Sequence, residues 1–175
     1  MLRRSLATFA CTALLATASL AQMGKSMPSP PETATASLNG KTITVKYGAP
    51  SMRGRKIMGE LVPYGKVWRT GANEATSFVT EGNLKIGTTS VPAGNYTVYT
   101  LPSAGQWMLI VNKQTGQWGT KYDQSQDLAR IPMKSEKLSS PQEKMSITFE
   151  KTHGNSTEMH VKWENTDEYV TVTAQ

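Results

Sequence analysis

Apolar and polar residues alternate on both sides of Asn39-Gly40, and little except an antiparallel hairpin satisfies that pattern. Asn-Gly is the preferred pair for a two-residue type I′ turn, because both turn positions need positive φ. With the turn there, Ala36 faces Ile43 and Ala34 faces Val45, and Leu38 and Tyr47 extend the same face. Thr33, Thr35, Ser37, Thr42, Thr44 and Lys46 take the other, giving one buried and one wet side. Strand-like runs recur at 75–80, 83–86, 89–91, 96–101 and 107–111, separated by Gly, Pro and Asn turns. The runs at 96–101 and 107–111 are apolar on both faces, as central strands are. Near the C-terminus Met145, Ile147 and Phe149 alternate with polar neighbours, as do Met159, Val161 and Trp163, and Val170, Val172 and Ala174. The expected fold is all-β: a single-domain antiparallel sandwich of about eight to ten strands with long functional loops, a jelly roll being one form of it. Only residues 124–130 suit a short helix or 3₁₀ turn, and 135–144 reads as a polar, Pro-containing connection.

The first residues read as a targeting signal. Arg3 and Arg4 precede an apolar, Ala-rich run over 6–20, too short for a good membrane span, and Ser19-Leu20-Ala21 fits a small-x-small cleavage site. The residues around Arg3-Arg4 suit a twin-arginine signal poorly, and Thr8-Phe9-Ala10 before Cys11 suits lipid attachment poorly. The expected organisation is a cleaved signal peptide over 1–21, a polar, Pro-rich flexible leader over 22–31 and one β domain over 32–175. The expected location is periplasmic or secreted. Cys11 is the sole cysteine, so the mature chain holds no disulfide and must rely on its core. Its 154 residues are enough to bury about two thirds of the unfolded surface. No segment after the signal is apolar and long enough to span a bilayer.

The connection over 50–76, PSMRGRKIMGELVPYGKVWRTGANEAT, is too rich in Gly, Pro and charge for a strand, yet Ile57, Leu61, Val62, Val67 and Trp68 call for packing. Without Arg3 and Arg4 the chain has 17 Lys and Arg against 13 Asp and Glu, a net +4. Arg53, Arg55, Lys56, Lys66 and Arg69 against Glu60 and Glu74 place +3 of that charge in this one connection. Such a surplus suits an anionic ligand or a solvated loop surface. It lacks the helical or multi-strand basic footprint that nucleic acid requires.

At 54–76 the run G-R-K-I-x-G-x-L-V-P-Y-G-K-V-W-R-T-G-A-N-E-A-T resembles a bacterial exported family catalogued as domain of unknown function number 2911. VPAGNYTVYTLP (91–102), WMLIVNKQTGQWGTKYD (107–123) and the closing WEN (163–165) carry the same resemblance, which covers roughly 30–173. Met58 departs from it, since an aromatic residue is common there in the family. The resemblance implies an exported single-domain β protein and implies no activity, cofactor or catalytic residue.

Within the connection, Arg69 offers a planar fork for carboxylate, phosphate or sulfate, and Asn73 both donates and accepts. Trp68 and Tyr64 suit stacking on a sugar or capping an apolar ligand. Arg55, with Arg53 and Lys56, could clamp an anion at the cleft edge. Asn112 and Trp118, with Lys113 and Tyr122, lie in a second loop that could fold over the first as a wall. The purely structural alternative pairs Arg69 with Glu74, bonds Asn73 to loop backbone and buries Trp68 in the core. No G-x-S-x-G elbow, P-loop or dinucleotide fingerprint is present. His153 and His160 are expected at the surface, flanking a hairpin tip at Gly154-Asn155, with no metal spacing around them. Glu60 and Glu74 form a candidate carboxylate pair, and Asp123 and Asp127 another with a solvated face as its plain alternative.

The expected function is a non-enzymatic binding module for a small polar or anionic ligand or glycan. Its candidate binding residues are Arg55, Tyr64, Trp68, Arg69, Asn73, Glu74, Asn112 and Trp118, with no catalytic residue, cofactor or metal. The alternatives are a hydrolase using Glu74 beside Arg69 and an envelope protein-interaction module.

Overall fold

The computed structural model describes residues 28–175; the expected signal peptide and most of the leader lie outside the described residues. Two antiparallel sheets pack face to face. One holds β1 (Pro31–Leu38), β2 (Lys41–Gly48), β3 (Ala72–Thr80), β6 (Gly94–Leu101), β7 (Met108–Asn112) and β8 (Asp127–Pro132), in that order. The other runs β5 (Thr89–Val91), β4 (Leu84–Ile86), β10 (Ser156–Ala174) and β9 (Lys134–His153). β1-β2-β3 and β6-β7-β8 are antiparallel neighbours in chain order, with β4-β5 an excursion into the facing sheet. That is a meander-based sandwich, and the jelly-roll form of the expectation is not the one found.

The hairpin register follows from alternation alone. Ala36 pairs with Ile43 and Ala34 with Val45, around Asn39 (φ 51°) and Gly40 (φ 73°). The inward row then crosses the sheet: Val45 pairs with Phe78, Phe78 with Tyr96, and Val98 with Val111. The facing sheet supplies Ile86, Met145, Ile147, Met159, Val161, Trp163 and Val172, all buried. Each such side chain contributes about 1.5–3 kcal/mol when fully removed from water. This core needs no cross-link.

Three local expectations are corrected. Residues 124–130 are not one helical segment. Gln124–Gln126 is a single 3₁₀ turn whose start is capped by Asp123, and β8 begins at Asp127. Ala129 and Ile131 pair with Val111 and Leu109, so period two prevails once an edge is available. Residues 135–144 are not a connection but the first half of β9. Lys134, Ser135, Glu136 and Lys137 pair with Tyr169, Glu168, Asp167 and Thr166, and pairing resumes at Gln142 with Glu164. Pro141 falls in the unpaired interval, where its missing N–H costs nothing. Pro31, assigned to the leader, is the first residue of β1, and the Pro30 carbonyl accepts from Ala49 N–H (2.8 Å).

β10 doubles back at its irregular pairing around Glu164–Thr166, so its two arms lie side by side. Asn155 Nδ2 donates to the Ala174 carbonyl (3.2 Å), and Ser156 Oγ reaches the Val172 carbonyl (3.3 Å). The two C-terminal alternating runs, 159–163 and 170–174, are these arms.

Candidate functional site

The connection from Pro50 to Gly71 is pinned at both ends and in the middle. At its start Met52 N–H donates to the Glu143 carbonyl (2.8 Å), and the Pro50 carbonyl accepts from Met145 N–H (2.9 Å). In the middle Ile57 and Val62 enter the core, and the Glu164 carboxylate accepts the N–H groups of Ile57 and Met58 (both 3.1 Å). At its end Trp68 and Thr100 exchange both backbone hydrogen bonds (2.8 and 2.9 Å). A loop so anchored presents fixed side chains.

Trp68 stacks on Trp163 (6.0 Å between centroids, 19°), meets Trp107 edge-on (6.4 Å, 83°) and donates its indole N–H to the Gly71 carbonyl (3.2 Å). The next side chain, Arg69, runs beneath Gly119. A Cβ at Gly119 would lie 2.1 Å from Arg69 Cδ and 2.7 Å from the Asn73 carbonyl oxygen, so only glycine admits both. The second loop thus closes over the first: Gly119 N–H donates to the Asn73 carbonyl (3.2 Å) and Ala75 N–H to the Gln117 carbonyl (3.3 Å).

Arg69 has no carboxylate partner among the described residues, and its Nε is buried with no hydrogen-bond acceptor. Burial pushes its pKa down, which reflects how poorly the protein solvates this charge. Arg69 lines a cleft of about 280 Å³ together with Arg55, Trp68, Asn73, Leu61 and Trp163. Arg55 is held at the edge by its Nε to the Met52 carbonyl (2.9 Å) and Nη2 to the Ser51 carbonyl (2.7 Å). Asn73 adopts φ 66° and donates to the Ser29 carbonyl (3.3 Å). Arg53, Thr70, Asn73 and Glu164, all non-glycine residues with positive φ, lie on the segments that shape or hold this cleft. Such conformations persist only where surrounding structure imposes them.

Four of the eight sequence candidates, Arg55, Trp68, Arg69 and Asn73, therefore share one cleft. The other four lie elsewhere. Glu74 lines an adjoining groove of about 510 Å³ with Glu32 and Lys46, on the outer face of the six-stranded sheet. That groove is larger, but Glu32 is already paired with Lys144 (2.7 Å) and Glu74 is exposed, so it holds no unmet charge like that of Arg69. Tyr64 lines a third cleft, with its ring close to Gly59. Trp118 is 53% exposed, its backbone bridged to Glu74. Asn112 is fully buried and faces no cleft: its Nδ2 donates to the Asp123 carbonyl and to Asp127 Oδ1 (both 2.9 Å), and its Oδ1 accepts from Gln114 N–H (2.9 Å).

Asn112 is thus the anchor of the covering loop. Asn112→Ala is expected to cost about 1–3 kcal/mol, since three part-buried hydrogen bonds go. Hydrogen exchange over 113–126 should rise more than in the sheets, and uniform protection across the chain would contradict this role. Asp127 belongs to the same network, accepting from Tyr122 Oη (2.6 Å) and from Arg130 Nε (2.9 Å). Burial and that hydrogen bond to Asp127 push the Tyr122 hydroxyl up to about 12.

His153 is exposed, as expected, but His160 is not at the surface: it is 1% exposed. The doubled-back arm covers it, with Tyr169 stacked on the ring (4.7 Å) and Asp167 Oδ1 2.8 Å from Nδ1. Glu158, Glu150 and Lys162 complete this ion cluster. No group of three or more His, Cys, Asp or Glu among the described residues is arranged to hold a metal. Of the carboxylate pairs, Glu60 is engaged by Lys56 (3.4 Å) and lies outside the Arg69 cleft.

The sequence reading missed Trp163 as a cleft wall and Glu164 as the clamp on the loop. The closing WEN run was their signal, because a polar pair following an inward Trp breaks the strand alternation.

A family model described as "Protein of unknown function (DUF2911)" matches residues 29–172. No curated protein and no solved structure matches the chain.

Proposed function

The chain belongs to DUF2911, a family of proteins of unknown function, and from that premise we propose that it is an exported, non-enzymatic binding module for a small anionic ligand held in the Arg69 cleft. One observation carries this. Arg69 keeps a charged guanidinium part-buried, with no acidic partner among the described residues and with Nε lacking an acceptor. An uncompensated charge of this kind is costly, and a bound carboxylate, phosphate or sulfate would offset the cost through a bidentate contact. Arg55 adds positive field at the cleft edge, Asn73 adds a donor, and Trp68 with Trp163 offers apolar wall. A sugar acid or a phosphorylated small metabolite has the matching combination of charge and flat body. The N-terminal signal pattern supports action in the periplasm or outside the cell.

The hydrolase alternative needs Glu74 beside Arg69, and Glu74 opens on the adjoining groove instead. The exposed Trp118 favours the interaction-module alternative, to which a flat response to anions would move the assignment.

The test is calorimetry of the purified chain against inorganic phosphate, sulfate, citrate and glucuronate, with Arg69→Met as control. Saturable binding of at least one anion is expected, weakened on the order of 10- to 100-fold in the variant, as for loss of a charged hydrogen-bond partner. Because Met keeps the stem and removes the buried charge, free Arg69→Met should be as stable as the native chain or more so. Unchanged affinity, or a large loss of stability without ligand, would return Arg69 to a structural role.

A further inference from the structure

The third cleft, of about 290 Å³, lies where the loop after β6 meets β9 and the second arm of β10. Tyr64, Trp107, Ser135, Glu136, Asn165 and Glu168 line it. Glu168 is the unusual member. It is 2% exposed, its Oε1 accepts from Ser135 Oγ (2.7 Å), and its Oε2 has no hydrogen-bond partner. Glu168 forms no ion pair among the described residues; its neighbour Asp167 has its own partners in His160 and Lys162. The charged and titratable groups facing Glu168 are Asp167 and Tyr169 beside it on its own strand, Lys134, Glu136 and Lys137 on β9, and Tyr64 on the long connection. With Glu168 ionised, its carboxylate and that of Glu136 outweigh the single Lys137 ammonium in the lining, which is then negative. Two aromatic side chains complete it.

We propose that this cleft binds a small organic cation, a primary ammonium carried on an apolar body, with Glu168 Oε2 accepting its hydrogen bond and Trp107 and Tyr64 walling its apolar part. A buried acceptor with a free oxygen pairs better with an ammonium than with a neutral hydroxyl, because the charge-assisted bond is the stronger. Aromatic faces add attraction for a cation and area for its body. The site is separate from the Arg69 cleft and opposite in charge preference, so either assignment can fail alone.

Burial, with the charge on Asp167, raises Glu168 to about 7. The carboxylate form that an ammonium needs is therefore the minor one at pH 6 and the major one at pH 8. Benzylammonium chloride is the probe, titrated into the full chain by calorimetry at both pH values. The expected results are saturable binding at pH 8 and about tenfold weaker binding at pH 6, from the change in carboxylate fraction. Proton release on binding at pH 7 should appear as a heat that varies with the buffer. Glu168→Gln, isosteric and neutral, should abolish binding at pH 8 while keeping the native far-UV spectrum. Benzyl alcohol should give no heat. No binding at pH 8, equal binding at the two pH values, equal binding to Glu168→Gln or equal binding of benzyl alcohol would each overturn the proposal. Should Glu168→Gln fail to fold, the pH pair and the alcohol control on the native chain still decide it.

Discussion

Trp163→Ala is expected to lose about 3–5 kcal/mol of unfolding free energy, the range for removing a buried aromatic. A domain of this kind has about 5–15 kcal/mol in all. Trp163 is 2% exposed, donates its indole N–H to the Glu143 carbonyl (3.1 Å) and supports Trp68 by stacking. Alanine would leave a hole, remove one of the two hydrogen bonds to the Glu143 carbonyl and free Trp68, the residue that precedes Arg69. The loss should therefore appear twice, as a lower denaturant midpoint and as weaker anion binding. Trp163→Phe keeps an aromatic ring and loses the hydrogen bond, so its cost should be smaller, about 1–3 kcal/mol. A cost below about 1 kcal/mol for Trp163→Ala would show that the two sheets close over the gap.

The second large effect is a gain. Glu168→Gln should raise stability at pH 8 by about 3 kcal/mol, which is the shift from 4.5 to about 7 at about 1.36 kcal/mol per unit. The sign follows from proton counts. Between those two values the native state holds a proton on Glu168 that the unfolded chain has released, so native stability falls as pH rises. Below about 4.5 both states are protonated and variant and native chain should agree; the penalty is complete above about 7. Glutamine carries the neutral form's shape at every pH and escapes it. Urea unfolding of both proteins from pH 4 to 8 gives the comparison. Curves that stay parallel would mean that Glu168 titrates normally and that its oxygen finds water. An ammonium ligand should narrow the gap at pH 8 by stabilising the native carboxylate alone.

Much of the fold was legible because alternation is a local signal. Ala36, Ile43, Val45 and Leu38 needed only their own parity and one Asn-Gly turn to take their places. β8 was missed because six residues, with only Ala129 and Ile131 as apolar alternating positions, are too short to outweigh a helical reading. The first half of β9 was missed because it is polar on both faces, and nothing local marks a strand that takes its pairing from residues about thirty positions away. His160 stands in phase with Lys162 on an outward row, and its burial comes from Tyr169 on the other arm of its own strand. Glu168 carried a readable sign: it shares parity with the inward Val170, Val172 and Ala174. The strand reading began at Val170 and stopped one pair short of it.

By itself the sequence determined which residues point inward, where the clear turns fall and which connection holds the surplus charge, since each depends on neighbours within a few positions. Only the tertiary structure decided that Arg69 meets no acid, that Tyr64 and Arg55 serve different clefts and that Glu168 keeps a free oxygen. Those depend on which partners are absent in space. Pairing a charge is a long-range property of the packed chain, and no local pattern of residues encodes it.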